Sequence, residues 1–159
     1  MDRWVRDFSA PLFHFLRRRI GDAALAEDLL QDVFCRAWEA RERYAEQGTE
    51  RGYLFAIADR LALGWLRGRR PAALEETFDP PGDFPEPWKQ LSGREEAAIA
   101  AAVIERLPEA QQRTLLLRYY GGMEFKEIAA VMGVPLNTAL SHGKRGLDNL
   151  RRQMAEGSA

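Results

Sequence analysis

Five of the eight prolines fall between Pro71 and Pro87: Pro71, Pro80, Pro81, Pro85 and Pro87. That cluster constrains the fold more than any other feature of the chain. Glu75–Pro87 also carries five acids, Glu75, Glu76, Asp79, Asp83 and Glu86, and no base. Proline removes backbone donors and blocks helix, and like charges repel one another. Residues 72–95 therefore read as a linker, which leaves two short flanking stretches to fold as separate units. At 159 residues the chain has room for two small domains.

Both flanks carry helical periodicity. Alternating apolar and polar runs are missing and β-branched residues are few, so strands are not expected. In the first stretch a helix is expected over Pro11–Arg19, with Ile20-Gly21 as its stop and Asp22 as the N-cap of the next. That second helix should run from about Ala23 to Tyr44. A polar gap, Ala45–Glu50, leads to a third over about Arg51–Arg67. The second stretch reads as helices near 94–106, 109–120, 124–132 and 136–153. The expected fold class is all-α: a helical domain over 1–71, a linker over 72–95, a helix-turn-helix domain over 96–154 and a disordered tail over 155–159.

Apolar residues are 46% and charged residues 30% of the chain, the balance of a folded globular protein. The net charge of −1 does not mark a nucleic-acid binder by itself, but the charges are unevenly spread. The single cysteine, Cys35, excludes an internal disulfide. Met1-Asp2-Arg3-Trp4 lacks a basic segment followed by an apolar run, and no stretch approaches the roughly 18 apolar residues of a membrane span. A cytoplasmic protein without membrane contact is expected.

At ~100° per residue, Ala26, Leu30, Val33, Phe34, Ala37 and Trp38 share one side of the second helix. Asp28, Gln31, Asp32, Cys35 and Glu39 share the other. A solvated face would carry such residues, and so would a surface that docks on a basic helical partner. In the third helix Arg60, Arg67, Arg69 and Arg70 stand within eleven residues, with Tyr53 and Trp65 among them. Arginine offers phosphates a forked donor and aromatic faces stack on unpaired bases.

Near the C-terminus, Met123–Pro135 reads as a short helix and a tight turn. Gly133 suits a left-handed C′ position and Pro135 the first turn of a following helix. In that helix Leu136, Ala139, Leu140, Gly143, Gly146, Leu147 and Leu150 form the expected covered side. Asn137, Thr138, Ser141, Arg145, Asp148 and Arg152 form the opposite one, with His142 and Lys144 at its margins. Such a polar stripe can read base edges and grip phosphates. Each interior glycine costs about 1 kcal/mol against alanine, which predicts a recognition helix of reduced rigidity. His14 and His142 have no companion cysteines in ligand spacing, so no metal or cofactor is expected.

Three strings carry a family resemblance. Ala26-Glu27-Asp28-Leu29-Leu30-Gln31-Asp32-Val33-Phe34-Cys35-Arg36-Ala37-Trp38 resembles region 2.2 of bacterial sigma factors. Gly52–Arg70 is similar to regions 2.3 and 2.4. Leu107–Met123, followed by Glu127-Ile128-Ala129 and Thr138-x-x-Ser141, resembles region 4. Together the strings place the chain beside sigma factors of the extracytoplasmic-function (ECF) type, and imply a non-enzymatic subunit that directs RNA polymerase core to promoters. The resemblance assigns Asp28, Gln31, Asp32 and Glu39 to the polymerase β′ clamp. It assigns Tyr53, Arg60, Arg67, Arg69 and Arg70 to the −10 element, with a base pocket built partly from Ala45–Gly52. Asn137, Thr138, Ser141, His142, Lys144 and Arg145 go to the −35 element. A region 4 contact with the polymerase β flap and control by an anti-sigma factor are also implied. The chain departs from the common pattern at Arg60 (often Asn), Gly64 (often Asp), Glu124 (often Ser or Thr), Leu140 and His142 (often basic) and Gly143 (often a larger apolar residue).

A 24-residue linker stretches to at most ~80 Å at ~3.3 Å per residue. One turn of DNA is ~34 Å, so the two halves can reach elements about two turns apart. Two other classes compete. A stand-alone helix-turn-helix regulator would leave the Asp28–Glu39 face without a purpose. An enzyme lacks a phosphate loop, a nucleophile elbow or a metal-ligand cluster to work with.

Overall fold

The structure, a computed structural model, describes residues 2–43, 49–68 and 94–157. Among these every regular element is helical. The chain divides into two compact units, Met1–Asp83 and Phe84–Ala159. The expected linker falls almost wholly outside the described residues, as do Arg69, Arg70 and most of the loop before α3. No helix among the described residues is long and apolar enough to cross a membrane.

The first unit packs three helices on one another: α1 (Asp2–Ile20), α2 (Ala23–Glu39) and α3 (Glu50–Gly68). Its core is Leu12, Phe13, Phe15 and Leu16 from α1, Ala26, Val33, Phe34 and Ala37 from α2, and Leu54, Phe55, Ala58 and Ala62 from α3. Phe15 meets Phe55 edge-on, with centroids 5.4 Å apart.

Helix α1 begins nine residues before the expected start at Pro11, which lies inside it and is buried. An interior proline costs about 3 kcal/mol, and the burial of Trp4 in the turns before it works against that cost. Trp4 is 8% exposed, its ring 6.2 Å from both Trp38 and Tyr53, and its indole N–H donates to Glu50 at 3.3 Å. Arg3 donates to the same carboxylate at 2.6 Å. That hydrogen bond, ahead of the Arg3 charge and the Trp4 bond, holds the Glu50 carboxyl below its ordinary range against a smaller opposing effect of burial. Glu50 thus ties the start of α1 to the start of α3.

Gly21, at φ 81°, ends α1, and its N–H bonds the Arg17 carbonyl at 2.7 Å. Asp22 caps α2 as expected, its carboxylate accepting from the Leu25 N–H at 3.0 Å. Because Asp22 is also buried, Asp22→Ala should lower stability by about 1–2 kcal/mol, measured by urea unfolding of the full chain. Helix α2 stops at Glu39 rather than near Tyr44. The Ala40 N–H is shared between the Arg36 and Trp38 carbonyls, the chain tightens into a 3₁₀ turn at Arg41–Arg43, and Arg41 folds back onto the Trp38 carbonyl at 2.6 Å. Thr49 accepts from the Gly52 N–H at 2.9 Å and so starts α3.

The second unit comprises α4 (Arg94–Arg106), α5 (Glu109–Tyr119), α6 (Phe125–Met132) and α7 (Leu136–Gly157). Helix α7 packs against the other three. Val103, Ile104, Leu115, Leu116, Leu117, Tyr120, Met123, Ile128 and Ala139 are the buried centre. Gln112, buried among them, donates to the Ile104 carbonyl at 2.9 Å. Arg94 and Glu95 are already helical, and α7 continues through Ala155–Gly157, where linker and tail were expected. Arg151-Arg152-Gln153-Met154-Ala155-Glu156 holds only good helix formers, so nothing stops the helix before Gly157.

Candidate nucleic-acid and protein interfaces

Burial of Ala26, Leu30, Val33, Phe34 and Ala37 fixes the roll of α2. Asp28, Gln31, Cys35 and Glu39 consequently face outward and are exposed, and Asp32 is half-exposed. Asp32 accepts from Arg36 one turn on at 3.0 Å, a surface pair worth a few tenths of a kcal/mol. The result is a rigid acidic ridge, suited to a basic helix or groove. Trp38, placed by its spacing on the covered side, lies at the rim at 39% exposure. The Arg41 guanidinium sits 4.0 Å above its ring. No periodicity could find that pair, because Arg41 belongs to the turn after the helix.

On α3, Tyr53, Arg60 and Arg67 follow at seven-residue spacing and so lie along one stripe. Arg60 and Arg67 are exposed, and between them Gly64 is exposed with nothing within 4 Å of a Cβ added there. A glycine in place of an acid leaves the stripe uninterrupted by negative charge. Tyr53 is half-buried, tilted against Trp4, and its hydroxyl donates to the Ala37 carbonyl at 3.0 Å. This hydroxyl already joins α3 to α2. Arg69 and Arg70 lie outside the described residues.

The helix-turn-helix forms where the sequence places it. Gly133 caps α6 at φ 69°, ψ 35°, the left-handed geometry that glycine adopts without strain. The Val134 N–H returns to the Ala129 carbonyl at 3.0 Å, and the Pro135 carbonyl receives the N–H groups of Thr138 and Ala139 at 3.0 and 3.1 Å. Glu124 occupies the N-cap of α6 without a side-chain capping bond. Glu124→Ser should therefore stabilise the second unit by about 0.5–1 kcal/mol, visible as a raised melting temperature.

Along α7, Asn137, Ser141, Lys144 and Arg145 are exposed, and Thr138 and His142 are half-buried. Asn149 on the same helix donates to Gln111 at 2.8 Å and fixes α7 against α5. Two features differ from expectation. Leu136 and Leu140, assigned to the covered side, are 46% and 43% exposed. The buried positions Ala139, Gly143, Gly146 and Leu150 centre the stripe to one side of them, a rotation that only the packing of α5 and α6 decides.

The glycines also have another role than loosening the helix. A Cβ on Gly143 would stand 2.6 and 2.9 Å from the Phe125 ring atoms Cε1 and Cζ. One on Gly146 would stand 3.0 Å from Leu115 Cδ1. Both glycines let α7 lie close against its neighbours.

The chain matches the family models for Sigma-70 region 2 over residues 4–71 and Sigma-70, region 4 over residues 97–150. It is 31% identical over 162 residues to the ECF RNA polymerase sigma factor SigE of Mycolicibacterium smegmatis, covering 99% of this chain and 63% of that protein. It is 29% identical over 149 residues to the ECF RNA polymerase sigma factor RpoE of Cereibacter sphaeroides, covering 93% of this chain and 82% of the relative. Two solved structures share the fold. The sigma factor RpoE in complex with the anti-sigma factor NepR from Bartonella quintana has a TM-score of 0.74 at 16% identity, over 97% of this chain and 96% of that one. CnrH in complex with the cytosolic domain of CnrY has a TM-score of 0.70 at 21% identity, over 98% and 87%. With its region 2 and region 4 units in this order, the chain belongs to the sigma-70 family of RNA polymerase sigma factors, in the ECF type.

Proposed function

We propose that this chain binds bacterial RNA polymerase core and directs it to promoters with −10 and −35 elements, acting in the cytoplasm as a non-enzymatic initiation factor. The observation that carries the reading is the separation of charge between exposed helix faces. The acidic ridge of α2 is suited to the polymerase clamp, and the arginine stripe of α3 to the −10 strand. The polar face of α7 is suited to a major groove at −35, with the second unit also meeting the polymerase flap. Asp28, Gln31, Asp32 and Glu39 make the polymerase contact. Tyr53, Arg60, Arg67, Arg69 and Arg70 meet the −10 region, and the Tyr53 hydroxyl also braces α3. Asn137, Thr138, Ser141, His142, Lys144 and Arg145 read or grip the −35 region.

Membership of the ECF type supports control by an anti-sigma factor that covers these faces, and a protein of the same fold, RpoE of Bartonella quintana, is seen in complex with the anti-sigma factor NepR. Run-off transcription with core enzyme, this protein and a genomic library tests the reading. Promoter-specific transcripts sharing two upstream motifs are expected. Core that starts no specific transcripts with the protein present would overturn it.

A further inference from the structure

Leu136 and Leu140 stand one turn apart in the first two turns of α7 and are 46% and 43% exposed. Scattered exposed leucines need no explanation, but these two adjoin the face that carries Asn137, Ser141 and Lys144, all exposed. At ~100° per residue, Leu140 lies ~60° around the helix from Asn137 and ~40° from Lys144. It therefore borders the reading face, on the side toward the buried stripe. Lys144 and Arg145 bring positive charge to that face, the complement of a phosphate backbone. On the major-groove edge of B-DNA one base group is apolar, the C5-methyl of thymine.

We propose that Leu140, shielded by Leu136, seats a thymine methyl in the −35 element and so sets a base preference there. Asn137, one turn earlier, offers the amide that pairs with adenine N6 and N7, so an A·T-containing step is the natural target of the pair. This inference rests on the promoter-binding reading and deepens it.

The test uses holoenzyme assembled from core and the full chain. Duplexes are first selected by this holoenzyme from a pool randomised upstream of a fixed −10 segment. They are then remade with uracil in place of thymine in that window alone, which removes the methyl and nothing else. Each contacted thymine replaced should weaken binding about four-fold, the worth of one buried methyl. Leu140→Ala should weaken binding to the thymine duplex to a similar degree and be indifferent to the swap. Its exposed position leaves its melting curve like that of the wild type.

Sequence-selective wild-type binding that ignores the swap would overturn the proposal, and so would a Leu140→Ala protein that keeps the full uracil penalty. Weaker assembly of Leu140→Ala with core, without any methyl effect, would assign the pair to a protein contact and equally overturn it. Selection that returns no upstream motif at all would instead sink the promoter-binding reading on which the proposal stands.

Discussion

Reversal of Asp28 and Asp32 to arginine should weaken binding to RNA polymerase core at least about 30-fold, the low end of what mispairing interfacial charge costs. Both side chains project from a helix whose opposite face is locked into the core by Ala26, Val33, Phe34 and Ala37. The substitutions therefore change the ridge without moving it. Loss of the Asp32–Arg36 pair, and the repulsion that replaces it, costs a few tenths of a kcal/mol. The fold should survive, and circular dichroism of the variant should match the wild type. Fluorescence anisotropy of labelled protein titrated with core gives the affinity. Its salt dependence should flatten in the variant, because exposed charges are screened. Cys35→Ser, on the same ridge but uncharged, should bind as the wild type does. Equal affinities for wild type and the reversed variant would remove α2 from the polymerase contact.

The acidic ridge was readable in the sequence because one helix with a clean apolar stripe determines its own outward face. The same holds for the turn at Gly133 and the cap at Asp22, where chemistry local to four residues decides the geometry. What escaped depends on partners far along the chain. The start of α1 was hidden by Pro11, whose cost is met by Trp4 packing on Trp38 and Tyr53. The Tyr53 hydroxyl bonds a carbonyl sixteen residues away, a contact that no local pattern announces. Leu136 and Leu140 were counted with the buried stripe because periodicity alone cannot say how far the packing of α5 and α6 extends around α7. At Gly143 the low helix propensity of glycine is visible in the sequence, while the Phe125 ring beside it is visible only in the structure.

That ring makes the effect of adding a methyl at Gly143 depend on its neighbour. Gly→Ala in a helix interior is worth about 1 kcal/mol in favour of alanine. Here the new Cβ would fall 2.6 Å from Phe125 Cε1, and overpacking of that kind costs about 1–3 kcal/mol. The Arg118 guanidinium also lies 5.3 Å from the centroid of that ring, and Arg118 itself donates to the Met123 carbonyl at 2.9 Å. Clash should outweigh propensity, so Gly143→Ala should destabilise the second unit by about 1 kcal/mol. Phe125→Leu removes both atoms that the methyl would strike. On that background the propensity term acts alone, and Gly143→Ala should stabilise by up to about 1 kcal/mol. The four proteins form a double-mutant cycle whose coupling, about 2 kcal/mol, is large for one pair of side chains. Urea unfolding of the four full-length proteins measures it. A Gly143→Ala effect of the same sign and size with either residue at 125 would mean that Phe125 yields freely, and that Gly143 is there for some reason other than close approach.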